Sequence, residues 1–213
     1  MMYDFHIHSI FSDGELVPAE IVQRYSTLGY KGIAITDHAD NSNLEFILSN
    51  TVSALEELSK ASNIEVIPGI ELTHIPPSML DRLVKKARKL GAKLIIVHGE
   101  TIAEPVQKGT NLEAVKNPEV DILAHPGLIT VEEAELANEN GVYLELTSRA
   151  GHCITNGHVV RVAEETGARL ILSTDAHAPE DIITKEEAIS VARGAGLSQK
   201  NSRMVSSVKP PPL

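Results

Sequence analysis

Two histidines stand two residues apart near the start of the chain, in Asp4-Phe5-His6-Ile7-His8, and Asp13 follows in Ser12-Asp13-Gly14. Side chains alternate faces along a strand, so His6 and His8 point the same way. Paired imidazoles are poor core material and a good two-point claw for a transition metal; a nearby carboxylate adds a harder donor. An edge strand with two solvated histidines would look the same over this stretch alone, so the rest of the chain must decide. His38 follows Ile35-Thr36-Asp37, Glu71 follows Pro68-Gly69-Ile70, and His98 ends Leu94-Ile95-Ile96-Val97. His125 precedes Pro126, and Asp175 and His177 share Thr174-Asp175-Ala176-His177. Six of the nine histidines, with three carboxylates, thus lie at or just beyond the end of an apolar run. Buried imidazoles and carboxylates need partners, and metal ions supply them. One open zinc site takes three or four protein ligands. A set of nine donors suits two or three ions, with a carboxylate bridging two of them.

To bring these residues together, the ends of the apolar runs must meet. The runs cover 3–7, 31–36, 65–70, 93–97, 120–124, 142–146 and 169–174. They are short and rich in β-branched residues, as strands covered on both faces are. Between them the apolar spacing predicts helices over 18–28, 44–61, 78–90, 112–116, 155–166 and 185–195, and one capped by Thr130 and stopped by Gly141. Seven strand-then-helix units imply parallel strands with helical crossovers. A barrel and a doubly wound sheet would both produce this string. In a barrel all strand C-termini open on one face, so residues up to 171 positions apart become neighbours. The strand over 142–146 supplies no metal-ligand candidate. The basic run Lys85, Lys86, Arg88 and Lys89 falls on a solvated helix face. One domain is expected over 1–197. The segment 198–213 is expected to be a loosely ordered tail, since Pro210-Pro211-Pro212 forms no regular structure.

The chain has 213 residues, enough for one full core, with 42% hydrophobic residues, one cysteine and a formal charge of −10. The single Cys153 excludes an internal disulfide framework and fits a reducing cytoplasm. No apolar run is long enough for a membrane span and no signal peptide is evident, so a cytoplasmic protein without membrane contact is expected. A charge this negative disfavours long nucleic acid as a ligand, though not a short nucleotide held at a metal site.

Taken in order, His6-x-His8, Ser12-Asp13-Gly14, Ile35-Thr36-Asp37-His38, Pro68-Gly69-Ile70-Glu71, His98, His125-Pro126 and Thr174-Asp175-Ala176-His177 resemble the motifs of the PHP (polymerase and histidinol phosphatase) family over residues 3–177. The resemblance implies an α/β fold, a distorted (β/α)7 TIM-like barrel with its metal site at the C-terminal ends of the strands. It implies a centre of two or three divalent transition-metal ions (zinc, manganese or iron). His6, His8, Glu71 and Asp175 would hold the first ion. Glu71 would bridge to a second, held also by His98 and His125. Asp13, His38 and His177 would hold the third. Some members have a histidine where this chain has Asp13; an oxygen donor there favours a harder ion such as Mn²⁺. Glu71, Asp175 and His177 are then the expected catalytic residues. The implied activity is hydrolysis of a small phosphomonoester, histidinol phosphate or a similar compound, by a hydroxide bridging the metals.

The loop Thr147-Ser148-Arg149-Ala150-Gly151-His152 would open on the same face. Arg149 could clamp a phosphate bidentately or pair with a nearby carboxylate. His152 and His74 are candidate substrate contacts, although solvated loop histidines would look alike. Asp37 either orients a ligand or caps a loop. Cys153 and His158 receive no functional role. The nearest alternative keeps the metals and changes the substrate to a nucleotide or a short single strand. Against a processive nuclease stand 3% aromatics and no tryptophan. A more remote alternative is a non-catalytic barrel subunit of an RNA-processing complex. Such a subunit is expected to be basic and to have lost ligands, whereas this chain is acidic with all nine positions filled. Oligomeric state is left open.

Overall fold

The computed structural model describes residues 2–208. Strands and helices alternate. The strands are β1 (Tyr3–Asp4), β2 (Gly32–Ile35), β3 (His38–Ala39), β4 (Glu65–Leu72), β5 (Leu94–His98), β6 (Ile122–Ala124), β7 (Tyr143–Thr147) and β8 (Leu170–Ser173). The helices are α1 (Pro18–Thr27), α2 (Leu44–Ala61), α3 (Leu80–Lys89), α4 (Thr110–Val115), α5 (Val131–Asn140), α6 (Asn156–Thr166), α7 (Lys185–Gly194) and α8 (Gln199–Val205). All pairings are parallel, in the order β1-β2-β4-β5-β6-β7-β8. The result is a nearly closed barrel of seven strands, which decides between the two architectures the alternation allowed. β3 continues β2 past Thr36 and Asp37 and lies beside β4, with His38 opposite Glu71.

Two apolar layers hold the ring. Phe5, Ala34, Ile67, Leu94, Ile96, Ile122, Ala124 and Ile171, drawn from six of the strand segments, fill its interior. The larger cluster lies between strands and helices, with Ile33, Ile70, Ile95 and Leu144 packed against residues such as Tyr25, Leu48, Leu83 and Val159. The outer helices are locally well specified. Thr130 opens α5 in a reciprocal cap, accepting from the Glu133 amide (3.2 Å) while the Glu133 carboxylate accepts from the Thr130 amide (2.9 Å). Gly141 ends α5 at φ 79°, a left-handed conformation that glycine adopts without strain.

The first strand departs from simple alternation. Phe5 joins the inner cluster and Ile7 the outer one, yet His6 and His8 both reach the site described below. The ladder of β1 ends at Asp4, whose carboxylate accepts from the His6 amide (3.3 Å). The pleat slips by one at that point. His6 and His8 share a destination, but the run over 3–7 is not one regular strand.

The C-terminal segment also differs from expectation. Residues 198–213 were expected to form a loose tail, but 199–205 form α8, capped by Ser198, whose hydroxyl accepts from the Asn201 amide (3.2 Å). Ser202 and Val205 are buried, so the helix closes part of the barrel's underside. Composition around Pro210 hid this short amphipathic turn; the proline run itself lies outside the described residues. No helix among the described residues is long and apolar enough to cross a membrane.

The ring closes between β8 and β1 through residues just past both. The His8 amide donates to the Ala176 carbonyl (2.8 Å) and the Ala176 amide to the His6 carbonyl (3.3 Å). Asp4 fastens this seam. Its buried carboxylate accepts from the Thr174 hydroxyl (2.6 Å), the Thr174 amide (3.1 Å) and the Tyr25 hydroxyl (2.9 Å) on α1. Removing one partner of a buried network leaves the others unsatisfied, at roughly 1–3 kcal/mol per group. Asp4→Ala should therefore destabilise the metal-free protein by about 3 kcal/mol, and Asp4→Asn by less, in urea unfolding. A loss in Asp4→Ala below about 1 kcal/mol would show that the seam is held elsewhere.

Candidate metal centre

The nine expected ligands all emerge at the C-terminal ends of the strands. Glu71, the seventh residue of β4, is fully buried at the middle. Its Oε2 lies 2.7 Å from His38 Nε2, 3.1 Å from His6 Nε2 and 3.5 Å from His8 Nε2, and its Oε1 lies 3.9 Å from His125 Nε2. Asp175 Oδ1 stands 3.2 Å from His8 Nε2, and its Oδ2 3.8 Å from His125 Nε2. Asp13 reaches in from the loop after β1, 3.1 Å from His38 Nδ1 and 3.4 Å from His177 Nε2. Among the described residues, donor atoms within 4.8 Å of one another form five groups, four of them here: His6, His8 and Asp175; His6, Glu71 and His125; His8, Asp13, His38 and His177; and His125, His152 and Asp175. His98 is placed differently from expectation. Its Nε2 turns to Glu104 (3.2 Å) and groups with His74 rather than with Glu71 and His125.

Local structure explains these positions. The loop carrying Asp13 folds back so tightly that a side chain on Gly14 would collide with the His8 carbonyl. Asp37 pins this loop, accepting from the Ser9 amide (2.7 Å), the Ser9 hydroxyl (2.8 Å) and the Ser12 hydroxyl (2.8 Å). It serves as a loop anchor. Among the described residues, the non-glycine residues with positive φ are His74 (52°), His125 (26°) and Asp175 (55°), all at this face. Each costs on the order of 1–3 kcal/mol, and such strain persists where the surroundings demand a particular aim.

The residues fit metal ions on a physical test. Among the described residues, eight buried side-chain nitrogen or oxygen atoms have no hydrogen-bond partner, and seven of them belong to His6, His8, Glu71, His125 and Asp175. An unsatisfied buried polar group costs roughly 1–3 kcal/mol, so such a concentration calls for a bound partner. Imidazole and carboxylate donors together suit Zn²⁺, Mn²⁺ or Fe²⁺. A concavity of about 670 Å³ around Tyr143, Arg169 and Val205 lies under the opposite end of the barrel. The unpaired donors locate the centre better than volume does.

Glu145 was missed by sequence reasoning. It sits on β7, fully buried, with Oε1 2.8 Å from His6 Nδ1 and Oε2 accepting from the His125 amide (3.0 Å). It orients one ligand and fixes the backbone of another, the usual carboxylate behind a metal-binding histidine. The signal was a lone charge in the apolar stretch Tyr143-Leu144-Glu145-Leu146. Glu104 was missed too, because it follows its strand by six positions.

Arg149 stands at the rim, with Nε 3.7 Å from Asp175 Oδ2 and NH1 donating to Asp181 (3.3 Å). Asp181 also accepts from the His177 and Ala178 amides (2.9 Å each). His152 is buried beside His125, with Nδ1 2.9 Å from the Thr101 hydroxyl. His74 is exposed near His98. His158 bonds the Ile129 carbonyl (2.7 Å) and is structural. The α3 lysines and arginine are mostly paired: Lys85 with Asp81, Lys86 with Glu45 and Arg88 with Asp121.

Electrostatics follows from this packing. Burial disfavours charge on His6 and His38, but Glu71 beside both overrides it. His38 is held protonated up to about 10, and His6 well above the ordinary histidine range. Burial pushes His8 and His125 well below that range, and raises Asp175 to about 7. Metal binding needs neutral imidazoles and ionised carboxylates. Loading at pH 7–8 should therefore release protons from His6 and His38, and affinity should fall as pH drops toward 6. Titration calorimetry in buffers of different ionisation enthalpy measures this directly; a heat independent of buffer contradicts it. Glu145→Gln should weaken metal affinity roughly 10–100-fold while the fold survives, read by the same titration.

Comparison with known proteins places this geometry in a family. The chain is 52% identical to an uncharacterised protein of Methanocaldococcus jannaschii over 94% of this chain and 92% of that one. It is 30% identical to ribonuclease P protein component 3 of Methanosarcina mazei, over 92% of this chain and 82% of that one. At greater distance it is 27% identical to a probable phosphatase of Thermoanaerobacter over 93% of this chain and 88% of that one. In three dimensions it resembles a chain of archaeal ribonuclease P solved with mature tRNA, with TM-score 0.71, 16% identity and coverage of 95% and 86%. These matches overturn the expectation of a small phosphorylated substrate with no long nucleic acid. The small substrate was what the resemblance implied, and the exclusion of long nucleic acid came from net charge, a sum over the whole surface, which does not say what one face or one partner does. The family model for RNase P subunit p30 matches residues 1–210, and the chain belongs to that family.

Proposed function

We propose that this chain serves RNA processing as a barrel subunit of an assembly of the ribonuclease P kind, and that its metal centre hydrolyses phosphate esters of RNA there. The observation that carries this is the group of buried donor atoms of His6, His8, Glu71, His125 and Asp175 left without hydrogen-bond partners inside a p30-family barrel. A barrel kept only for assembly would relieve those orphaned atoms at no cost to its role, by replacing Glu71 or His8 with apolar residues.

His6, His8, Glu71, His125 and Asp175 would hold ions in the buried part of the centre, and Asp13, His38 and His177 one nearer the mouth. When bound, such ions supply a nucleophile near neutral pH and neutralise charge on a phosphate. Arg149 would grip the phosphate from the rim, steadied by Asp181. Glu145 keeps His6 aimed. With a charge of −10 the chain does not attract RNA through its overall field. Exposed Ile10, Ile102, Leu128 and Ile154 stand on loops at the same face and offer apolar contacts to a partner. The family match to an RNase P subunit supports a second reading, assembly without hydrolysis.

The test loads the protein with Mn²⁺ and measures two things: association with ribonuclease P proteins and RNA, and release of phosphate or nucleotide from short RNAs. We expect association in both wild type and Asp175→Ala, and release that falls roughly a hundredfold in Asp175→Ala. Association without release selects the second reading. Absence of association overturns the proposal.

A further inference from the structure

Three histidines outside the orphaned cluster share one arrangement. His98 Nδ1 faces the Gly99 carbonyl (3.2 Å), His74 Nδ1 the Thr73 hydroxyl (2.9 Å) and His152 Nδ1 the Thr101 hydroxyl (2.9 Å). Each is thereby left with Nε2 free, and all three Nε2 atoms turn to Glu104, at 3.2, 3.8 and 3.6 Å. The Gly99 carbonyl can only accept, so His98 carries a proton on Nδ1, and in the neutral ring this leaves Nε2 as a bare lone pair facing a carboxylate. Two acceptors facing at that distance repel unless a cation lies with them. Metal-binding histidines are commonly tied through the far nitrogen in this way.

The loop that brings Glu104 here is built, not loose. Glu100 accepts from the Gly109 amide (2.8 Å) and the Asn111 amide (3.0 Å), and Asn111 in turn accepts from the Glu100 amide (2.9 Å) and donates to the Pro126 carbonyl (2.9 Å). His74 takes a left-handed backbone, φ 52°, to reach the same point. His98 and His125 rings lie 4.5 Å apart, which sets this cluster directly against the buried centre.

We propose that His74, His98 and Glu104 form a further divalent transition-metal site at the mouth of the barrel, bordered by His152. Its donor atoms lie within 4.8 Å of one another. Two imidazoles and one carboxylate leave open positions, as in catalytic zinc sites. The site takes Zn²⁺, Co²⁺ or Mn²⁺, and its open side would accept an oxygen of a phosphate lying across the mouth. Neither His74 nor Glu104 belongs to the nine-residue set, so the site adds an ion or reassigns His98 to one.

The experiment is titration of the metal-free full chain with Co²⁺, followed by visible absorption and calorimetry, for wild type, Glu104→Gln and His74→Asn. Both substitutions fall on exposed residues, and thermal melts of the metal-free proteins check the fold. We expect each variant to lose one equivalent of Co²⁺, or to bind that equivalent roughly tenfold or more weakly, with the other equivalents unchanged. Titrations of both variants that superimpose on wild type overturn this site and leave the proposed function standing. A wild-type chain that takes up no Co²⁺ overturns the site and the hydrolytic part of that function together.

Discussion

Glu71 is a fully buried carboxylate whose polar neighbours are imidazoles, His38 Nε2 nearest at 2.7 Å, and much of the upper half of the barrel is arranged around it. Left alone, such a group would favour unfolding or protonation. Here neighbouring His6 and His38 hold it ionised, well below the usual carboxylate range against the effect of burial. The cluster therefore carries protons among its own members when it holds no cation. The same donors are positioned to exchange those protons for metal ions. Stability and metal affinity are in this sense one quantity, read at two occupancies.

The constraint spreads outward through a layer of carboxylates that touch ligands rather than any substrate. Glu145 reaches His6 and the His125 amide, Asp37 ties down the loop of Asp13, and Asp181 accepts from the His177 amide. Asp4 does comparable work one level below, joining β1, α1 and the end of β8 at the seam of the ring. Acidic residues thus serve several purposes within one small volume. Part of the chain's negative charge is internal, and it does not describe the face offered to a partner.

Membership of the p30 family and the presence of the donors pull in different directions. An assembly role needs the outer surface of the barrel, its loops and its helices. Hydrolysis needs the mouth. The exposed apolar residues Ile10, Ile102, Leu128 and Ile154 border that same mouth, so fold alone does not choose between the two roles.

The alternation of short apolar runs and helical spacing was enough to predict an α/β fold with parallel strands. The end-of-run placement of His6, His38, Glu71, His98 and Asp175 was enough to predict that they meet, because parallel strands present all their C-termini on one side. These are local patterns, carried by neighbouring residues. What the sequence could not carry were relations between distant segments. His98 turns to Glu104 rather than Glu71 because a built loop delivers that carboxylate. Glu145 points inward because the pleat of β7 happens to set it behind His6. Phe5 faces the inner apolar layer and Ile7 the outer one although they stand two residues apart, and 199–205 form a helix that buries Ser202 and Val205. Residue types and spacing determined that a metal-binding barrel was possible. Only the tertiary structure decided which donor atoms come within reach of one another, since that depends on side-chain directions and distances of a few ångströms across strands far apart in the chain.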